Sequence, residues 1–347
     1  MSKAIDTNLL SSSYRAKAIN LAERKLLITR LADSEQANDL QLPPNCNGFG
    51  RIRHFNRGSP MGAWPANPLP IDPAARKLRV PPGDIVLAQV FQNAVCNWRC
   101  WYCFVPFNLL SANPKQSDWL TAGDLIDLYL AEKERAPMID LSGGQPDLVP
   151  EWVPWTMEAL SERGLDKTVF LWSDDNLSND YFWRYLTADQ IERIRTYPMY
   201  SKVCCFKGFD AASFAYNTGA DPALFDQQFR LFQRYLELGL DLYAYVTFTS
   251  PSEDSIQTKI AAFVDRLQAL HRNLPLRTVP LEIRPFSVIT ERNTRLSPAA
   301  LLLQQTAMNA QQAAISAWQN ELSRRFLPTD RARSIVDVSL VSNGRSV

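Results

Sequence analysis

The sequence predicts an α/β fold built around a parallel sheet, and two observations carry that prediction. From residue 84 onward, short apolar runs rich in β-branched and aromatic residues alternate with longer segments of helical period. Such alternation is the mark of right-handed βαβ units. The glycine- and cysteine-bearing polar motifs also fall directly after those runs, where parallel α/β folds carry their chemistry. Six runs are too few for a closed eight-unit barrel.

The candidate strands are Ile85–Phe91, Met138–Leu141, 168–172, 202–206, 242–248 and 279–283. Helical patterns lie between them, at 122–135, 151–163, 225–238 and 255–270. Before the first strand, residues 13–32 read as helical, and a proline-rich stretch, Trp64-Pro65-Ala66-Asn67-Pro68-Leu69-Pro70, reads as extended. Its spaced apolar residues need a surface to cover, so it is expected to wrap the sheet domain. After the last strand, 297–326 reads as a long helix: Ser297 caps it, Pro298 opens it, and Leu301, Ala307, Ala314 and Trp318 are its spaced apolar positions. Roughly the last 20 residues are expected to be partly loose.

Composition bounds the function class. With 347 residues, 46% hydrophobic and 21% charged, the chain has material for one large domain or two ordinary ones. No run of about 18 apolar residues suggests a membrane span. A net charge of +1 gives no field that would draw the whole molecule to nucleic acid or anionic lipid. The basic clusters Arg51, Arg53, Arg57 and Arg76, Lys77, Arg79 read as solvated surface. The opening residues lack the apolar centre of a signal peptide, so reduced cysteines and a cytoplasmic location are expected.

The most informative feature is the run Cys96-Asn97-Trp98-Arg99-Cys100-Trp101-Tyr102-Cys103, spaced C-x3-C-x2-C. Three thiolates can hold three irons of a cubane [4Fe-4S] cluster, which ordinarily takes four cysteines. The fourth iron then stays open, as catalysis requires. Three plainer readings stand beside this one. Positions i, i+4 and i+7 form one face of a helix, where cysteine packs as a small hydrophobe. A zinc site would want a second C-x2-C pair, which Cys46, Cys204 and Cys205 do not supply. A disulfide framework is disfavoured by the sparse cysteine pattern.

Three further motifs follow the next three strands: Ser142-Gly143-Gly144-Gln145-Pro146, then Trp172-Ser173-Asp174-Asp175-Asn176, then Phe206-Lys207-Gly208. Each also has an ordinary reading, as a strand-to-helix turn, a helix-capping cluster and a surface lysine. In this order, each after a predicted strand, the four motifs resemble the radical S-adenosylmethionine superfamily. The core is most similar to the glycyl-radical-enzyme activases, the pyruvate formate-lyase activating enzyme group. The resemblance covers about residues 84–290 and implies a partial (β/α)6 barrel.

It also implies one [4Fe-4S] cluster on Cys96, Cys100 and Cys103, with S-adenosylmethionine chelating the open iron. Tyr102 is the aromatic residue before the last cysteine. Gly143, Gly144, Gln145 and Pro146 stand at the GGEP loop that holds the cofactor's amino group through its backbone. Gln145 replaces the usual Glu, and Gln145→Glu is expected to be nearly silent. Ser173, Asp174 and Asn176 occupy the place of the DTNG segment, with Leu177 in place of its glycine. Lys207 fits the DVK lysine that faces the cofactor carboxylate, with Cys205 where the aspartate would be. Side chains alternate along a strand, so Cys205 shares a face with Lys207. It is a candidate hydrogen-atom donor, against the plainer reading of a buried small hydrophobe.

The expected organisation is an N-terminal extension over 1–82, the barrel over 83–290 and a C-terminal helical extension over 291–347. The implied reaction is reductive cleavage of S-adenosylmethionine to a 5'-deoxyadenosyl radical that abstracts hydrogen from a substrate. A glycine of a partner protein is the activase-like candidate. The alternatives are a small molecule, nucleotide or peptide, and a non-catalytic iron-sulfur sensor or scaffold. An electron donor such as flavodoxin or ferredoxin is the expected partner.

Overall fold

A computed structural model describes residues 4–58 and 65–341. Trp64 of the proline-rich stretch lies outside the described residues. In chain order the elements are helix α1 (Thr7–Ala18), strands β1 (Ile19–Asn20), β2 (Lys25–Thr29) and β3 (Gly50–Asn56), and helix α2 (Ile71–Leu78). Then come β4 (Ile85–Phe91), β5 (Ser117–Thr121), α3 (Ala122–Ala131), β6 (Met138–Leu141), α4 (Trp152–Glu162) and β7 (Phe170–Asp175). Two short helices, α5 (Tyr181–Tyr185) and α6 (Ala188–Thr196), precede β8 (Tyr200–Phe206), α7 (Ala211–Thr218) and α8 (Phe225–Glu237). The rest is β9 (Leu242–Val246), α9 (Ile256–Leu270), β10 (Thr278–Pro280), α10 (Ser287–Asn293), α11 (Pro298–Arg325) and α12 (Pro328–Arg331).

Seven strands form one curled sheet in the order β10-β9-β8-β7-β6-β4-β3. The six from β10 to β4 are parallel, each joined to the next through helices, which makes the partial (β/α)6 barrel. The seventh is a strand the sequence reading did not contain. β3 pairs antiparallel with β4 over its whole length, from Gly50↔Phe91 to Asn56↔Ile85. A second small sheet, β1-β2-β5, is antiparallel. The helix expected over 13–32 is therefore a helix that ends at Ala18 and a strand, Lys25–Thr29, that pairs with β5 some 90 residues later.

Alternation along the strands divides the sheet's side chains between two cores. Phe91, Leu141, Leu171, Cys204, Phe206, Ala244 and Val246 pack outward beneath the helices. Ala88, Met138, Phe170, Trp172, Val203, Cys205, Tyr243 and Tyr245 face the concave side. Leu69, Ile71 and Ala74 pack into that inner cluster. The proline-rich stretch and α2 thus fill one part of the barrel interior rather than lying over its outside.

At the carboxyl end, helix α11 begins where Ser297 accepts a hydrogen bond from the Ala300 amide. Ala307, Ala314 and Trp318 are buried as expected, whereas Leu301 is exposed. Beyond it the described tail, to residue 341, is tied to α2: Asp337 pairs with Arg76, and Ser334 donates to Asp72; residues 342–347 lie outside the described residues. No helix among the described residues is long and apolar enough to cross a membrane.

Candidate active site

The site lies at the carboxyl ends of the parallel strands, in a cavity bordered by Cys96, Cys100, Cys103, Gly143, Gly144 and Lys207, among others. The cysteine loop leaves β4 without regular structure, so the helical-face reading of the three cysteines does not hold. All six cysteines are free thiols, which removes the disulfide reading. Among the described residues, no three Cys, His, Asp or Glu side chains close on one point as they would around a single metal ion. A cubane makes a different demand: each thiolate takes a different iron, so three sulfurs must border one space. Cys96, Cys100 and Cys103 do border one cavity.

The loop is held by its neighbours. Arg99 donates to the Cys96 carbonyl at 2.5 Å, the Trp98 carbonyl at 2.9 Å and the Tyr14 hydroxyl at 2.6 Å. The Asn97 amide donates to Ser11 and Ser178, both at 2.8 Å, and Trp98 Nε1 donates to Thr7 at 3.0 Å. Arg292, from α10, donates to the Cys103 carbonyl. Burial pushes the Cys100 thiol up to about 12, with the Lys207 ammonium acting in the opposite sense. Tyr102 borders the cavity and is tied by its hydroxyl to Thr247 at 3.1 Å.

The glycine loop after β6 fits against the cysteine loop. Gly143 and Gly144 have φ of +83° and +64°, a region that a side chain makes costly. A Cβ on Gly144 would stand 2.4 Å from the Asn93 carbonyl oxygen and 2.5 Å from that of Val95. Both glycines border the cavity, so their backbone groups are available to a ligand there. Gln145 is placed otherwise. Its Nε2 donates to Asp175 at 2.7 Å and its Oε1 accepts from the Asn176 amide at 3.0 Å. Its side chain links two strand-end loops, and Pro146 is buried at the start of the next turn.

In the third motif, alternation separates the residues. Asp174 shares the concave face with Trp172 and borders the cavity beside Asn176. Ser173 is on the opposite face, fully buried, and hydrogen-bonds Tyr200 at 2.7 Å, so it stands outside the cavity. Asp174 accepts from Ser142 at 2.6 Å. Asn176 donates to Asn97 at 3.3 Å while its own Oδ1 is buried without a hydrogen-bond partner among the described residues.

Lys207 and Cys205 both border the cavity, as the alternation requires. Burial pushes the Cys205 thiol up to about 12, again opposed by Lys207, so the group is a thiol at neutral pH. Lys207 forms no ion pair among the described residues.

Several residues of the site were not legible in the sequence. Asn217, on α7, is a hub: it receives Trp101 Nε1 at 3.1 Å and donates to the carbonyls of Lys207 at 2.9 Å and Thr249 at 3.1 Å. Arg51 and Arg53, read as solvated surface, stand on the inner face of β3. Arg53 borders the cavity and pairs with buried Asp140 at 3.5 Å, and Arg51 is 2% exposed. Their spacing of two was the available signal: on a strand it puts both on one face.

No family model matches the chain, and no curated protein matches it. Among solved structures it is similar to three crystal structures of SuiB from Streptococcus suis. SuiB itself aligns with a TM-score of 0.37 and 16% identity, over 52% of this chain and 36% of SuiB. SuiB bound to S-adenosylmethionine aligns at 0.37 and 16%, over 56% and 41%. SuiB bound to its precursor peptide SuiA aligns at 0.36 and 13%, over 60% and 51%. The chain therefore spans about half of SuiB or less.

Proposed function

We propose that this chain is a radical S-adenosylmethionine enzyme. One observation carries the reading: three cysteines, two positive-φ glycines, Asp174, Asn176 and Lys207 come from four successive strand ends and border one cavity. When bound, a [4Fe-4S] cluster would supply the electron that cleaves S-adenosylmethionine and so generate a 5'-deoxyadenosyl radical beside the substrate.

The chain's own residues have separable tasks in this reading. Cys96, Cys100 and Cys103 hold the cluster and leave one iron without a protein ligand. The Gly143-Gly144 backbone and the unpartnered Asn176 Oδ1 offer acceptors for the cofactor's amino group or hydroxyls. Lys207, half-buried and without an ion pair among the described residues, suits its carboxylate. Asp174 suits ribose hydroxyls or an ammonium.

The sensor reading differs in one measurable respect. Dithionite-reduced, anaerobically reconstituted protein should convert S-adenosylmethionine to 5'-deoxyadenosine and methionine, and Cys100→Ala should not. Absence of cleavage by the wild type, or equal cleavage by Cys100→Ala, would remove the proposal.

For the substrate, the activase-like reading is a glycine of a partner protein, and the alternative is a small molecule, nucleotide or peptide. Buried charge on the concave face favours a substrate that itself carries charge.

A further inference from the structure

Strand register places a second charged row inside the barrel, on residues outside the four motifs. Arg51 is opposite Val90 on β4, Val90 opposite Asp140 on β6, and Asp140 opposite Trp172 on β7. Arg51, Asp140 and Trp172 therefore share the concave face, with one strand between the arginine and the aspartate. Asp140 is met instead by Arg53, two residues along β3, at 3.5 Å.

Arg51 is left alone. It is 2% exposed, and among the described residues its guanidinium makes no hydrogen bond and no ion pair. Among the described residues its guanidinium carbon lies 5.3 Å from the ring centroid of Phe104, which borders the cavity, and it feels the Asp140 and Asp174 carboxyls without pairing with either. A buried guanidinium with unmet donors is costly, and it destabilises a fold unless something else occupies it.

Arg51 does not itself border the cavity but lies behind Phe104, which does, and the charges that border it are otherwise engaged. Arg53 pairs with Asp140, and Arg284 pairs with Glu282 at 3.4 Å. In the radical S-adenosylmethionine reading, on which this step rests, Lys207 takes the cofactor's carboxylate and Asp174 its hydroxyls or ammonium. Among the described residues two cations then remain without an anionic partner: Arg292, which already donates to the Val288 and Cys103 carbonyls, and Arg51, which donates to nothing. The fork of a guanidinium matches the paired oxygens of a carboxylate or phosphate, and in a dry site such a contact is strong and directional.

We propose that Arg51 is a substrate-binding residue: it holds an oxyanion, a carboxylate or phosphate, of the molecule from which hydrogen is taken. The strand that carries it lies outside the 84–290 core, so the proposed subsite belongs to the segment that distinguishes this chain from that core.

The test uses anaerobically reconstituted protein titrated at constant ionic strength with malonate, with inorganic phosphate, or with chloride as control. Melting is followed by circular dichroism, and S-adenosylmethionine binding is measured separately by equilibrium dialysis. Malonate or phosphate should raise the melting temperature where chloride does not; malonate alone would point to a carboxylate substrate, phosphate alone to a phosphorylated one. Arg51→Gln should weaken the effective anion at least about tenfold, the loss expected for a charge-assisted pair, and Arg51→Lys should fall between. Without anion, Arg51→Gln should melt no lower than the wild type, because it removes an unpaired buried charge. A wild type that responds to neither anion overturns the proposal, as does an Arg51→Gln protein that responds as the wild type does. A chain that binds anions through Arg51 but not S-adenosylmethionine would remove the functional reading and leave the subsite standing.

Discussion

At the scale of single residues, the pair Gln145 and Asp175 decides how the glycine loop is held. The Gln145 side chain gives its amide hydrogen to Asp175 and takes one from the Asn176 backbone. Gln145→Glu, nearly silent if that side chain were idle, would instead set a second carboxylate 2.7 Å from Asp175 and lose the donor. We predict a loss of about 2–3 kcal/mol in denaturant unfolding, the cost of a broken buried hydrogen bond to a charged group. Unchanged stability would show that the loops are held by other means. Gly144→Ala should cost a similar amount, because its Cβ meets two backbone oxygens that cannot yield.

Burial raises Asp175 to about 7 and Asp140 to about 8, against an ordinary 3.8. Between 3.8 and those values the folded chain holds protons that the unfolded chain has released, so stability falls as pH rises across that window. Melting temperature should therefore drop from about pH 5 to about pH 8, and Asp175→Asn should flatten that drop. An equal drop in the variant would contradict the assignment.

At the scale of elements, helix α1 is a brace for the site rather than a loose start. Arg15 on α1 pairs with Glu151 at 2.5 Å and donates to the Leu148 carbonyl at 3.2 Å, in the segment that follows the glycine loop. Ser11 and Thr7 of the same helix hold Asn97 and Trp98 in the cysteine loop. Both charges of the pair are nearly buried, so Glu151→Ala strands an arginine. A loss of about 3–5 kcal/mol is expected, measurable by urea unfolding, and a loss below about 1 kcal/mol would mark the pair as a surface one. Neither this brace nor β3 was readable from the sequence. The site residues that α1 holds are more than 80 residues away, and no local pattern reports them. β3 reads Gly-Arg-Ile-Arg-His-Phe-Asn, and two of its three inward positions, Arg51 and Arg53, are arginines, with Phe55 the third. An alternation rule that expects apolar residues inside therefore passes over it.

At the scale of the whole molecule, the parallel strands and the strand-end motifs were legible, since buried parallel strands are continuous apolar runs and glycine and cysteine mark chemistry directly. Ile85–Phe91 and Met138–Leu141 are strands at those very bounds. The pairing of β2 with β5 was not legible, because Lys25-Leu26-Leu27-Ile28-Thr29 has the apolar content of either a helix or a strand and its partner is distant. The sequence also could not say that residues from both sides of the first parallel strand build one cavity. The loops that carry the four motifs follow β4, β6, β7 and β8, while Arg53, Pro65 and Asn67 border the same space from the segment before β4.

The central claim is that three cysteines hold a cluster whose fourth iron accepts S-adenosylmethionine. Electron paramagnetic resonance of the dithionite-reduced, reconstituted protein tests it most directly. About four irons per chain are expected, with a [4Fe-4S] signal whose g values shift when S-adenosylmethionine is added and which is lost in Cys100→Ala. A cluster signal indifferent to S-adenosylmethionine, or one retained in full by Cys100→Ala, would contradict it.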